Sequence, residues 1–179
     1  CLAGENRNYL FTDRIGDVKA KGQEAIAIVD QGKADEVTNY FIEILTQLAR
    51  FNWYSEGNYP RSIELLQRAS GICDQAEFDV SDHRVKIFTE FGYTYGYSGE
   101  FDLSEDNFRN ALELAIDVYG EESATVADRY TDMVFPLIQK SEWEKAEVAL
   151  KKATELNIRL RGPEHRAVAR AVPGRGGGY

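Results

Sequence analysis

Apolar and polar residues follow one another along this chain with the period of a helix. In "GNYPRSIELLQRASGI", which starts at Gly57, Leu66, Ala69 and Ile72 fall three places apart with charged and amide side chains between them, so the apolar groups collect on one helical face. The pattern predicts helices near 16–31, 35–54, 59–75, 83–97, 102–118, 123–139, 143–161 and 164–172, and no strand. Two stretches, "FGYTYGY" and "MVFPLI", are too densely apolar for a one-sided surface helix. Their helices are therefore expected in an inner layer, covered on more than one face. Pro136 lies inside one of them, where a missing N–H and a steric clash predict a kink or an early end.

The same pattern recurs every 42 residues. Three segments align without gaps from Gly57, Gly99 and Ser141, which superimposes Tyr59, Phe101 and Trp143, then Ser62, Ser104 and Ala146, then Ala69, Ala111 and Ala153. Small residues at fixed helical positions let a neighbouring helix come close, and the aromatics fill the wider gap near the turn. Each unit therefore holds two packed helices. The other helix of each unit aligns at "TQLARF", "TEFGYTY" and "TDMVFPL", with one residue of slippage in the first that a longer turn at "NWYSEG" would absorb. Gly57 and Gly99 sit between the helices of a unit, and Gly120 and Gly162 between units, where a left-handed glycine is expected to end a helix.

These residues resemble the tetratricopeptide repeats (TPR) in their 42-residue, kinesin-light-chain-like form, through the Gly-x-aromatic, small and Ala positions and the connector "RLRGPEHRAV". HEAT and armadillo repeats share the length but lack that pattern. The resemblance implies an all-α, right-handed superhelical solenoid of antiparallel helix pairs, about three full repeats plus partial end helices. Its parts are an N-terminal extension over 1–14, a degenerate helix over 15–34, repeats over 35–77, 78–119 and 120–161, a partial one over 162–172, and a flexible glycine-rich tail over 173–179. The resemblance also implies a concave groove lined by the first helices. There the matching pairs are Thr46 and Gln47, Thr89 and Glu90, and Thr131 and Asp132, so the family's usual asparagines are absent and acids stand in their place.

Charge sharpens this picture. The chain of 179 residues carries a formal charge of −9, which excludes general nucleic-acid binding as a main activity. The split is −3 over 1–60, −11 over 61–150 and +5 over 151–179, an acidic body with a basic end. No apolar run is long enough to span a bilayer. Cys1 and Cys73 form neither a metal pattern nor a disulfide framework. The start at Cys1 has two readings: a lipidated cysteine of a mature lipoprotein, placing the chain outside the cytoplasm, or a fragment boundary with a cytoplasmic chain.

Chemistry is sparse. His83 and His165 fall in equivalent linkers without a nucleophile motif and read as helix-start residues; the glycines after 173 lack the strand, helix and lysine of a phosphate loop. Phe91, Tyr93, Tyr95 and Tyr97 read as core packing rather than as a stacking platform. No enzyme and no cofactor or metal is expected. Two functional readings stand. The first is a protein-interaction scaffold that self-associates head to tail into an oligomer or filament, its basic end formed by Arg166, Val168, Arg170, Val172 and Tyr179 meeting the acidic body of the next copy. The second is a monomeric adaptor holding a basic peptide in the acidic groove.

Overall fold

The computed structural model describes residues 38–162; the expected helices over 15–34 and 164–172, Cys1, His165 and the Arg166 to Tyr179 end lie outside them. The described residues contain helices and no strand. They fall into two compact units that meet in sequence at Phe78 and Asp79.

The first unit contains α1 (Thr38–Phe51), a π-helical segment (Asn52–Glu56) and α2 (Tyr59–Gln75). Phe41, Ile42, Leu45 and Leu48 of α1 are buried, as are Leu65, Leu66 and Ala69 of α2. The slippage found in the sequence is absorbed here, but by a different device than a longer turn. The extra residue widens the end of the first helix into π geometry, where one added residue is accommodated without breaking the helix. The amide of Asn58 reaches back six residues to the Asn52 carbonyl at 2.9 Å. At the equivalent turns, Glu100 reaches back five residues to Tyr95 at 2.9 Å and Glu142 five residues to Leu137 at 2.8 Å.

The second unit contains α3 (Ser81–Ser98), α4 (Phe101–Tyr119), α5 (Ala124–Gln139) and α6 (Trp143–Arg161). Short turns make α3 with α4, and α5 with α6, antiparallel pairs, and α4 packs on α5. Val85, Leu112, Ala115, Val126, Ala127 and Leu156 form a core drawn from all four helices. The repeated small residues act as the pattern requires. Ser104 is fully buried and donates its hydroxyl to the Gly92 carbonyl at 2.7 Å, so α4 lies against the α3 backbone. Gly92 and Gly96 clear space for rings: a Cβ at Gly92 would sit 2.6 Å from the Phe108 ring, and one at Gly96 would sit 2.7 Å from Phe135.

At Pro136 the early end does not occur, and at two glycines the expected conformation is corrected. Helix α5 continues through the buried Pro136 and ends three residues later at Gln139, with Lys140 donating its amide to the Pro136 carbonyl at 3.0 Å. Gly120 and Gly162 do have positive φ, 78° and 83°, but ψ of 157° and 159° places them in the extended region open to glycine rather than in the left-handed helical one.

Candidate functional site

The first helices carry the expected groove positions, and their threonines turn inward. Thr46 and Thr89 are buried and donate their hydroxyls to the carbonyls of Ile42 and Val85, each at 2.7 Å; half-buried Thr131 does the same to Ala127 at 3.0 Å. A hydroxyl four residues into a helix satisfies itself this way. Gln47, in the first unit, is exposed and donates to the Glu43 carboxylate at 2.9 Å. In the second unit Glu90 is half-buried.

Asp132 is not an open acid. The Tyr93 hydroxyl of α3 donates to its Oδ1, and Arg129 Nε lies 2.9 Å from its Oδ2. Arg129 also donates to the Thr89 hydroxyl. The structure thus brings Thr89 and Asp132 into one polar lattice across α3 and α5, with two members, Tyr93 and Arg129, that the sequence reading did not select. Arg129 precedes Asp132 by three residues, a helical ion-pair spacing that could have found it; Tyr93 is 39 residues away and carried no signal. Burial, then the Asp132 charge, pushes the Tyr93 phenol well above its ordinary pKa, which keeps it a donor.

A second cluster ties the α5–α6 turn to α4. Lys140 Nζ lies 2.7 Å from Asp102 Oδ1, 2.7 Å from Glu105 Oε2 and 3.3 Å from Glu142 Oε1. Glu105 is buried and also receives Arg109. The hydrogen bonds to Asp102, then Glu105, hold the Lys140 ammonium above its ordinary range. Beside this cluster a cavity of about 440 Å³ opens among α4, α5 and α6, lined by Leu112, Tyr130, Met133 and Val148 with the charged Glu105, Arg109, Glu144 and Lys145. At the other end, Tyr119 donates to Asp82; burial and that bond push its phenol up to about 12.

The aromatic surface divides. Phe91 is buried and stacks on Tyr95 at 5.9 Å, and Tyr93 meets Phe108 edge-on at 5.0 Å. Tyr97 is exposed and stacks on Phe135 at 5.3 Å. On α6, however, Trp143 is 61% exposed, with Ile158 at 44% and Glu144, Glu147 and Lys151 exposed around them. Trp143, Glu147, Lys151, Thr154 and Ile158 fall three and four residues apart, on one helix face. Sequence reading placed Trp143 in the packed aromatic position and did not mark this face.

Among the described residues no group of three or more His, Cys, Asp or Glu side chains is arranged to hold a metal ion, and no helix is long and apolar enough to cross a membrane. Cys73 is buried, and His83 is half-buried at the start of α3.

No protein-family model matches the chain, and no curated protein matches its sequence. Among solved structures it is similar to BtubC (BKLC) from P. vanneervenii, with a TM-score of 0.73 at 21% identity over 89% of this chain. The chain spans 62% of the length of that protein. Likeness at this level shows the fold, a helical repeat of TPR-like solenoid type.

Proposed function

We propose that this chain is a non-enzymatic protein-interaction scaffold of TPR type whose α6 face is a docking surface for a basic helical partner. The observation that carries the reading is Trp143. Its counterpart one repeat earlier, Phe101, meets Phe135 of the following helix at 6.4 Å, whereas Trp143 stands 61% exposed. A helical repeat buries its aromatic positions against its neighbours, so an exposed tryptophan at a position that packs one repeat earlier is a place where another element can dock. The exposed Glu144 and Glu147 beside it favour a basic partner.

The concave groove is the weaker place for such a partner, because the Asp132 carboxylate is already offset by Arg129 and capped by Tyr93. Head-to-tail self-association into an oligomer or filament is the competing form of the scaffold reading, and the basic charge of residues 151–179 against the acidic body supports it. Against it, Phe41, Ile42, Leu45 and Leu48 of α1 are buried, so these side chains are not available to the α6 of another copy.

Size-exclusion chromatography with light scattering, at several concentrations and two salt levels, separates the forms. A single species near 20.2 kDa throughout is expected. A mass that climbs with concentration and collapses in high salt would overturn the adaptor form in favour of self-assembly.

A further inference from the structure

We infer that the cavity among α4, α5 and α6 is a binding site for a small arylalkylammonium ion, an apolar aromatic body carrying one protonated amine. The inference goes beyond the docking reading and uses a different surface, since Trp143 is not among the residues that line the cavity.

The cavity lies at a seam in the core of the second unit. One buried cluster contains Leu112, another contains Leu137 and Ala149, and the partly buried Tyr130 and Met133 pack against both. All five line the cavity. One repeat earlier, the positions of Met133 and Leu137 hold Phe91 and Tyr95, whose rings stack at 5.9 Å. Helix α5 thus presents a thioether and a branched alkyl chain where α3 presents two rings, and space is left between the helices. Its volume of about 440 Å³ falls within the range of small-molecule sites, roughly 300–1,000 Å³.

The charged side chains at the cavity select the head group. Arg109 is held by Glu105 and by Asp106 at 3.1 Å, Lys145 lies 2.6 Å from Glu142, and Glu105 also holds Lys140 at 2.7 Å. Glu144 is exposed and forms no ion pair with a described residue. A guest therefore meets two cations that already have partners and one carboxylate that has none among the described residues. Residues 61–150 carry −11, so the surrounding field also draws a cation and repels an anion.

The apolar lining selects the body. The face of the Tyr130 ring attracts an ammonium through its quadrupole. The Met133 thioether makes favourable contacts with an aromatic ring and adapts its rotamer to the shape of a guest. An arylalkylamine with a few methylenes can set its ring against Met133 and Leu137 and its ammonium at Glu144.

Met133 is the single methionine of the chain, so an isotopic label on the methionine methyl gives one NMR reporter inside the site. The full chain so labelled is titrated at neutral pH with phenylbutylamine, phenylbutanol and phenylbutyrate, which share a body and differ in head group. A saturable shift of that resonance is expected, with the amine about 3-fold tighter than the alcohol, the worth of one exposed ion pair, and the carboxylate weakest. Glu144→Gln should remove the difference between amine and alcohol and leave the alcohol's own affinity unchanged. Trp143→Ala should leave all three titrations as they are. Both residues are exposed, so circular dichroism of each variant should match the parent. An unmoved methionine resonance, equal binding of the three head groups, or an amine preference that survives Glu144→Gln would each overturn the inference and leave the docking reading standing. A loss of amine binding with Trp143→Ala equal to that with Glu144→Gln would overturn it as well, by placing the amine on the docking face instead of in the cavity.

Discussion

Ser141 occupies the position that glycine fills at the two preceding turns, and it too has a positive φ, 61° beside 62° at Gly57 and 91° at Gly99. A side chain there costs roughly 1–2 kcal/mol, part of which glycine gives back through unfolded-state entropy. Ser141→Gly should stabilise the chain by about 0.5–1 kcal/mol net in urea denaturation; a loss would mean that the turn is held by something other than backbone conformation. Gly92 makes the opposite case. Alanine is the better helix former by about 1 kcal/mol, but its Cβ would meet the fully buried Phe108 ring at 2.6 Å. Overpacking costs about 1–3 kcal/mol, so Gly92→Ala should lower the melting temperature, and an unchanged or raised one would show that Phe108 has room to move. The small residues of the repeat were legible at this scale. Gly92 was not among them, because nothing in its neighbours in sequence announces a ring 16 residues away.

At the scale of the element, the described helices lie where hydrophobic periodicity puts them, and the departures have local causes. The odd residue before Gly57 enters the helix as a π segment, because the turn that follows it is fixed by the left-handed Gly57. Helix α5 outlasts Pro136 because a proline near a C-terminus disturbs few bonds downstream of it. The α5–α6 turn is fastened by Lys140, to which no sequence pattern drew attention. Lys140→Ala leaves the buried Glu105 with Arg109 alone. It should cost about 1–2 kcal/mol, between the values for exposed and buried pairs. A double-mutant cycle with Glu105→Gln measures this coupling, and additivity would show that the two side chains are held independently.

For the molecule as a whole, the two compact units divide after Phe78. The second has a core contributed by four helices, so residues 79–162 are expected to fold on their own. Expressed alone, this segment should give a helical circular dichroism spectrum and a cooperative thermal transition; a broad, non-cooperative melt would mean that it depends on the first unit. The net charge of −9 bears on the same scale. It opposes nonspecific clumping and leaves association to a particular face.

By itself the sequence determined the helices, their pairing and the 42-residue register, because helical periodicity and small-residue spacing act through near neighbours along the chain. It also placed the polar pairs on the first helices, as residue types at positions. Only the tertiary structure decided which of those groups remain available. Asp132 looked like an open acid until Tyr93 and Arg129 closed around it, and Trp143 looked like a packed aromatic until α6 was found with that ring exposed. Both outcomes depend on partners a full helix away, where exposure and charge are set by what a neighbouring helix covers rather than by what a residue is.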